Sequence, residues 1–498
     1  MTRTRACCAG DGRQERIRPM HHGTPPRGRR SRRGLIIALS VTLVVVLGAA
    51  AAVVFWPRSS GGGTAGPSTL TVTGSSVVDP PVQIDGPGLQ AMTAQRGKNP
   101  TAAKVAARLA PALANPALGQ FKGIVLDGAT GNPLWRQAQG DLIQPASTLK
   151  LLTGAALLTS VDPSKRLTTK VVAGPEPGDI IMVGGGDVTL SAAPAGVTGV
   201  YPGAPTVADL AAQVQASGYE VKRILLDTTY WSGPELANGW STADITGTPT
   251  VGKGFITNMQ PLMVDGDRLD QGNLESRRSG LPARTAGTAL ARALGLPDID
   301  VVPGAQATGD EQVLGQVQSQ PVSILLSQAL LNSDNVLAEA LGREVAIAKQ
   351  APPTFDGMVA AIAQGLNDIG LDTTGLVMAD ASGLSTENRA PSTLLAEVMQ
   401  LAVSGTIPNL AGMLSGLPVA GVSGTLAERF QTAGGRPAVG WARAKTGTVD
   451  VTYALVGYVP DVDGRVLVFA LNTNGASGTP SRTAQDVVVA ALRSCGCT

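Results

Sequence analysis

Histidine is almost missing from this chain. His21 and His22 are the only two among 498 residues, and both lie in the first 33. A Ser-His-Asp triad or an imidazole-ligated zinc site is therefore excluded from everything that follows. Cysteine is equally sparse. Cys7 and Cys8 stand at one end and Cys495 and Cys497 at the other. A disulfide framework and a cysteine nucleophile are excluded from the body, and a terminal Cys495–Cys497 bridge stands beside two free thiols as alternatives. Aromatics make up 3% and charged residues 15% of the chain. The formal net charge is +2, but ten Arg against Asp11 and Glu15 give the first 33 residues +8. The remainder is then about 2 − 8 = −6, which gives no sign of a nucleic-acid surface.

What is present falls into segments. Residues 1–33 are rich in Arg, Gly and Pro and read as a disordered basic tail. Residues 34–56 carry no charge and follow Arg27, Arg29, Arg30, Arg32 and Arg33. A run of about 20 apolar residues spans a bilayer, and the positive-inside rule puts the tail in the cytoplasm and the rest outside. A cleaved signal peptide is the alternative, with Ala49 to Ala52 as small residues. Either way the working part is extracytoplasmic. Residues 57–100, rich in Gly, Ser, Thr and Pro, read as a flexible linker.

Folded structure is expected from Thr101. A helix opens it, and a hairpin follows from Phe121–Leu126 and Pro133–Gln137. From about 171 to 284 short strands and Gly-rich turns suggest an inserted β-rich domain. One of those turns is Gly184-Gly185-Gly186-Asp187, which lacks the Gly-Lys-Ser/Thr of a phosphate loop. The main domain then comprises 101–170 and 285–498. Helical patterns cover 284–294, 322–348 with a break at Asn332–Asn335, 357–369, 391–404 and 424–431. Strands are expected at 439–448, 452–459 and 465–472, then a helix over Asp486–Arg493.

Pro145-Ala146-Ser147-Thr148-Leu149-Lys150 is the stretch with chemistry. Pro145 suits a helix start, and a helix beginning near Ala146 puts Ser147 and Lys150 on one face. Ser-x-x-Lys alone is weak, since a chain of this size holds about one by chance. Two further motifs follow in order. Ser333-Asp334-Asn335 sits at a helical break, and Lys445-Thr446-Gly447-Thr448 on an expected strand. A serine hydroxyl needs a base, and with no histidine a lysine must serve, its pKa lowered by burial or a second cation. Lys150 is the candidate base and Lys445 the second cation. Ser333 can relay a proton, Asn335 can orient a substrate amide, and Lys445 with Thr446 can hold a carboxylate. The N–H groups of Ser147 and Thr448 can form an oxyanion hole, if helix start and strand edge face one another.

The ordered set S-x-x-K, S-D-N and K-T-G marks serine β-lactamases and penicillin-binding proteins. Over about residues 100–493 the chain resembles the D-alanyl-D-alanine carboxypeptidase/endopeptidases of the class C low-molecular-mass penicillin-binding proteins. Further family-like stretches are Gly184–Leu190, Asp380–Ser385 with Asn388-Arg389, and Gly424-Thr425-Leu426 with Arg429. Val188 stands where the family usually has Pro. The long gap between Lys150 and Ser333 also matches this class. The resemblance implies an α/β (α+β) fold, with a five-stranded antiparallel sheet flanked by helices. It implies a peptidoglycan stem peptide ending in D-Ala-D-Ala as substrate, an acyl-enzyme on Ser147, β-lactams as inhibitors, and no cofactor or metal. Asp244 and Arg389 are its candidates for the two ends of a diaminopimelate side chain, with Gly447 in the substrate strand. The alternatives are a β-lactamase and a catalytically idle wall-binding relative.

Overall fold

The computed structural model describes residues 97–138, 141–194, 196–247, 252–475 and 478–498. The expected tail, apolar span and nearly all of the linker lie outside them. In chain order, α1 (Ala102–Leu113) leads to β1 (Gln120–Asp127) and β2 (Pro133–Gln137), then α2 (Lys150–Ser160). Next come β3 (Thr168–Ala173), β4 (Asp179–Val183), α3 (Val207–Ala216), β5 (Arg223–Asp227), α4 (Pro282–Ala293), β6 (Asp300–Ala305) and β7 (Val313–Gln318). The helices α5 (Val322–Asn332), α6 (Asn335–Ala348), α7 (Phe355–Asp368) and α8 (Ser392–Ser404) follow. The chain closes with β8 (Arg443–Val449), β9 (Thr452–Pro460), β10 (Val466–Asn474) and α9 (Gly478–Arg493).

The main sheet has the order β8-β9-β10-β1-β2, with antiparallel neighbours throughout. Successive residues of a strand point to opposite faces. So Val456, Val468 and Ile124 pack with α2, α5, α6, α7 and α8 in one core. Leu455, Leu467 and Val125 pack with α1 and α9 in a second. Burying both faces leaves little room for polar residues in β9 and β10, which are almost wholly buried. α2 is buried from Lys150 to Leu158, so Lys150 is held inside the lobe rather than on its surface.

The insert has its own sheet, β6-β5-β4-β3-β7, and its own core. β4, β5 and β6 run parallel, joined through α3 and α4. The expected insert ended at 284, whereas this sheet runs from Thr168 to Gln318. The helical pattern after Ala283 is real, but α4 packs on the insert's sheet: Ala283, Ala286 and Leu290 belong to that core. Sequence periodicity shows a helix, not which sheet it covers.

Three smaller expectations also differ. Over 424–431 only Gly424–Leu426 forms a 3₁₀ turn, because Phe430 takes φ +64°, which no α-helix accommodates. α9 begins at Gly478, eight residues before Asp486. The chain enters α2 through a 3₁₀ turn, Ala146–Leu149, with Ala146 at φ +47°. Cys495 and Cys497 are joined as a disulfide, and the backbone N–H of Thr101 donates to the carbonyl of Cys497 at 2.9 Å.

Candidate active site

The 3₁₀ turn sets Ser147 at the mouth of α2 and Lys150 behind it. Lys150 Nζ donates to Ser147 Oγ at 2.9 Å, to Asn335 Oδ1 at 2.6 Å and to the Ser382 carbonyl at 2.7 Å. Three acceptors match the three protons of an ammonium. On losing one proton the amine can keep two donors to the Asn335 and Ser382 oxygens, which leaves its lone pair free to face Ser147. Burial lowers the pKa of Lys150 to about 8, against the pull of the Asp380, Glu339 and Asp334 carboxylates. About a tenth of it is then neutral at pH 7.

Ser333 caps the end of α5 in a left-handed conformation, φ +57°. Asp334 begins α6, its side chain accepting from Leu337 N at 3.0 Å. This break between two helices turns Ser333 and Asn335 into one site. Lys445 Nζ donates to Ser333 Oγ at 2.8 Å and to the Thr446 carbonyl at 2.8 Å. Burial and then the neighbouring Lys150 charge push the Lys445 pKa well down. A substrate carboxylate arriving beside it would reverse part of that shift.

β8 is an edge strand of the main sheet. Gly447 lies against the nucleophile turn, where a Cβ would stand 2.8 Å from the Pro145 carbonyl oxygen. Side chains at Thr446 and Thr448 face outward, half-buried and exposed. Thr446 Oγ1 donates to Thr425 Oγ1 at 2.8 Å. Thr448 Oγ1 accepts from Arg482 at 3.4 Å. Helix start and strand edge do meet, as an oxyanion hole requires. Among the described residues no group of three His, Cys, Asp or Glu side chains is placed to hold a metal ion.

The sequence matches the model of the D-Ala-D-Ala carboxypeptidase 3 (S13) family over residues 105–280 and 270–495. The chain belongs to this family. Among its relatives is "Carboxypeptidase DacB" of Mycolicibacterium smegmatis, 46% identical over 402 residues, covering 80% of this chain and 85% of that one. The "D-alanyl-D-alanine carboxypeptidase" of Actinomadura sp. (strain R39) is 28% identical over 462 residues, covering 76% and 82%. The fold matches the crystal structure of penicillin binding protein 4 (dacB) from Haemophilus influenzae. Its TM-score is 0.61 at 18% identity, covering 79% of this chain and 99% of that one.

Of the residues expected from the sequence, Ser147, Lys150 and Asn335 form one hydrogen-bonded group and Ser333 with Lys445 a second. Asp244 is placed differently. Its carboxylate closes a capping box, accepting from Ser241 N at 2.8 Å and Ser241 Oγ at 3.0 Å. Its carbonyl accepts from Phe255 N at 2.6 Å, and the Phe255 carbonyl accepts from Asn335 Nδ2 at 3.1 Å. Asp244 is thus one peptide from the site through its backbone. Arg389 is exposed, its Nη1 bonded to the carbonyls of Thr386 and Asn388.

Several residues of the site were not singled out from sequence. Glu339 follows Asn335 by one helical turn and is fully buried. It accepts from the N–H groups of Ala381 (3.0 Å) and Ser382 (2.8 Å), and so holds the carbonyl that Lys150 uses. Burial, then the Asp380 charge, raises its pKa to about 7. A carboxylate in the middle of an apolar helix was the available signal. Arg268 and Tyr201 of the insert grip Asp334, at 2.6 and 2.9 Å. No spacing in the sequence links them to it.

Proposed function

We propose that this chain is a serine-type D-Ala-D-Ala carboxypeptidase that acts on peptidoglycan stem peptides, with Ser147 as nucleophile and Lys150 as its base. The observation that carries the reading is the double contact of Lys150 with Ser147 and Asn335 beside that of Lys445 with Ser333. Ser147 Oγ attacks the carbonyl of the penultimate D-Ala as its proton passes to neutral Lys150. The oxyanion forms against the N–H groups of Ser147 and Thr448. Ser333, between Lys445 and the leaving nitrogen, returns a proton as the C–N bond breaks and free D-Ala departs. The acyl ester on Ser147 is then hydrolysed by water. Lys445 and Thr446 hold the terminal carboxylate. β-Lactams, whose strained amide occupies the place of the D-Ala-D-Ala bond, acylate the same oxygen.

The uncharged span 34–56 behind its arginines supports an extracytoplasmic enzyme held at the cell membrane by its N-terminal segment. Among the described residues no helix is long and apolar enough to cross a membrane. Cutting of cross-links as an endopeptidase is the second activity this site suits, since β8 is an open edge.

Exposure to penicillin G should add one penicilloyl mass to the peptide containing Ser147, and a pentapeptide should release D-Ala. Equal labelling of S147A, or no release of D-Ala, refutes the reading.

A further inference from the structure

A second cleft, of about 430 Å³, opens in the insert, away from Ser147 and its partners. It lies at the carboxyl ends of β4 and β5, with the stretch after β6 as its far wall. The carboxyl ends of parallel strands are where open α/β sheets bind ligands. Val171, Ile180, Met182, Ile224 and Leu226 face the insert's own core. Thr168, Lys170, Val183 and Asp227 alternate with them and stand on the opposite face, where they line the cleft.

The cleft is built before any ligand arrives. Asp227 Oδ1 accepts from the N–H and Oγ1 of Thr229 at 2.8 and 2.7 Å, and its Oδ2 accepts from Ala307 N at 2.8 Å. One carboxylate thus fixes both walls. Glu311 holds the far wall again, accepting from Thr308 N at 2.6 Å and Gly309 N at 2.9 Å. The rim is the Gly184-Gly185 turn. A Cβ at Gly185 would stand 2.1 Å from the Thr168 carbonyl oxygen, so only glycine lets the turn lie on the sheet. This gives the Gly-Gly-Gly-Asp motif a role outside the catalytic centre.

The lining has one cation, Lys170. Among the described residues it has no carboxylate within ion-pair distance. Hydroxyls, glycine backbone and the Asp227 carboxylate, already bonded to Thr229 and Ala307, make up the rest of the polar lining. Tyr230 forms one side, its hydroxyl donating to Glu344 Oε2 at 3.3 Å. Glu344 itself is fully buried and paired with Lys165 at 2.6 Å, so it is not part of the lining. A cation among hydroxyls and glycine backbone suits an extended peptide that carries a carboxylate.

We propose that this cleft binds a second peptidoglycan stem peptide, with a carboxylate on Lys170, while the first occupies Ser147. The assignment rests on the proposed function, which supplies the ligand class. The test uses the chain with Ser147 blocked by penicillin G, its acylation read by mass spectrometry. A fluorescent diaminopimelate-containing pentapeptide is then titrated by anisotropy. The penicilloylated protein binds it, and K170E and K170Q bind at least about tenfold more weakly, the worth of one charge-assisted hydrogen bond. Both variants keep the wild-type acylation rate, which certifies their fold. A penicilloylated protein that binds nothing, or variants that bind as wild type, overturns the cleft alone. Absence of the penicilloyl mass overturns the proposed function and the ligand assignment with it.

Discussion

Arg268 Nη2 lies 2.6 Å from Asp334 Oδ2, with both side chains 2% exposed. One belongs to the insert and the other to the triplet that carries Ser333 and Asn335. Tyr201 closes the group, accepting from Arg268 at 2.8 Å and donating to Asp334 at 2.9 Å. Burial alone would raise the Asp334 pKa, but the Arg268 and Arg278 charges hold it at about 2. The insert therefore holds the residue between Ser333 and Asn335, the two side chains proposed to act in catalysis. Replacing Arg268 by Met should cost about 3–5 kcal/mol, because Asp334 is left charged and buried without its partner. Urea unfolding measures that loss, and penicillin acylation should slow in parallel. A variant that unfolds and acylates like wild type would show the pair to be idle.

The acylation rate should rise with pH through a midpoint of about 8, where Lys150 loses its proton. The sign follows from the base being the neutral amine: below the midpoint the ammonium has no lone pair for Ser147. K150M should lose about 100- to 10,000-fold in rate and the rising limb with it. Stopped-flow acylation from pH 6 to 9.5 reads both. A flat wild-type profile would remove Lys150 from the role of base.

Glu339 acts on the same profile from the other side. Its negative charge favours the Lys150 ammonium, so E339Q should move the midpoint to lower pH. The Gln Oε1 can still accept from both loop N–H groups, since one oxygen of Glu339 already takes both. Its stability effect has its own pH dependence. The folded pKa, about 7, lies above the ordinary carboxylate value, so wild-type stability falls as pH rises from about 4.5 to 7. E339Q should flatten that fall. Thermal melts from pH 4 to 8 test it, and an unchanged slope would refute it.

Gly447 sits where β8 passes the nucleophile turn. G447A would put a methyl group 2.8 Å from the Pro145 carbonyl oxygen and 3.1 Å from Ala146 Cβ. Backbone must shift to admit it. A displacement of about 1 Å between Ser147 and the strand would cost on the order of 100-fold in acylation. The melt should stay cooperative, since the clash is confined to an edge strand. Wild-type acylation by G447A would mean that the strand edge does not form part of the site.

The polar residues that the structure brings together here were legible in sequence because each is part of a short local pattern. Ser147 and Lys150 share a turn, Ser333 and Asn335 flank a helix break, and Lys445 to Thr448 sit on one strand. The strands of the main sheet were legible for a similar reason: hydrophobic runs such as Val466–Leu471 are buried on both faces. Long-range polar partners left no local trace. Arg268 meets Asp334 across 66 positions, and nothing in the residues between them encodes the meeting. The insert's limits were misjudged on the same ground, since α4 looks alike whichever sheet it covers. Asp244 illustrates the reverse case. Its acidic side chain caps its own short helix, a use that the surrounding Ser241-Thr242-Ala243-Asp244 spacing already allowed.

The pairing of β1 with β10 joins Gln120 to Asn474, near the two ends of the folded chain. During synthesis β1 therefore has no neighbour on that side until Val466–Asn474 has emerged. The insert's strands, all between Thr168 and Gln318, can pair long before. Ser147 is made early, but the strand that completes its surroundings, Arg443–Val449, is made among the last. Nascent chains truncated before residue 443 should therefore take up no fluorescent penicillin. The order of the sequence places Arg443–Val449 after the segments that carry Ser147, Lys150, Ser333 and Asn335.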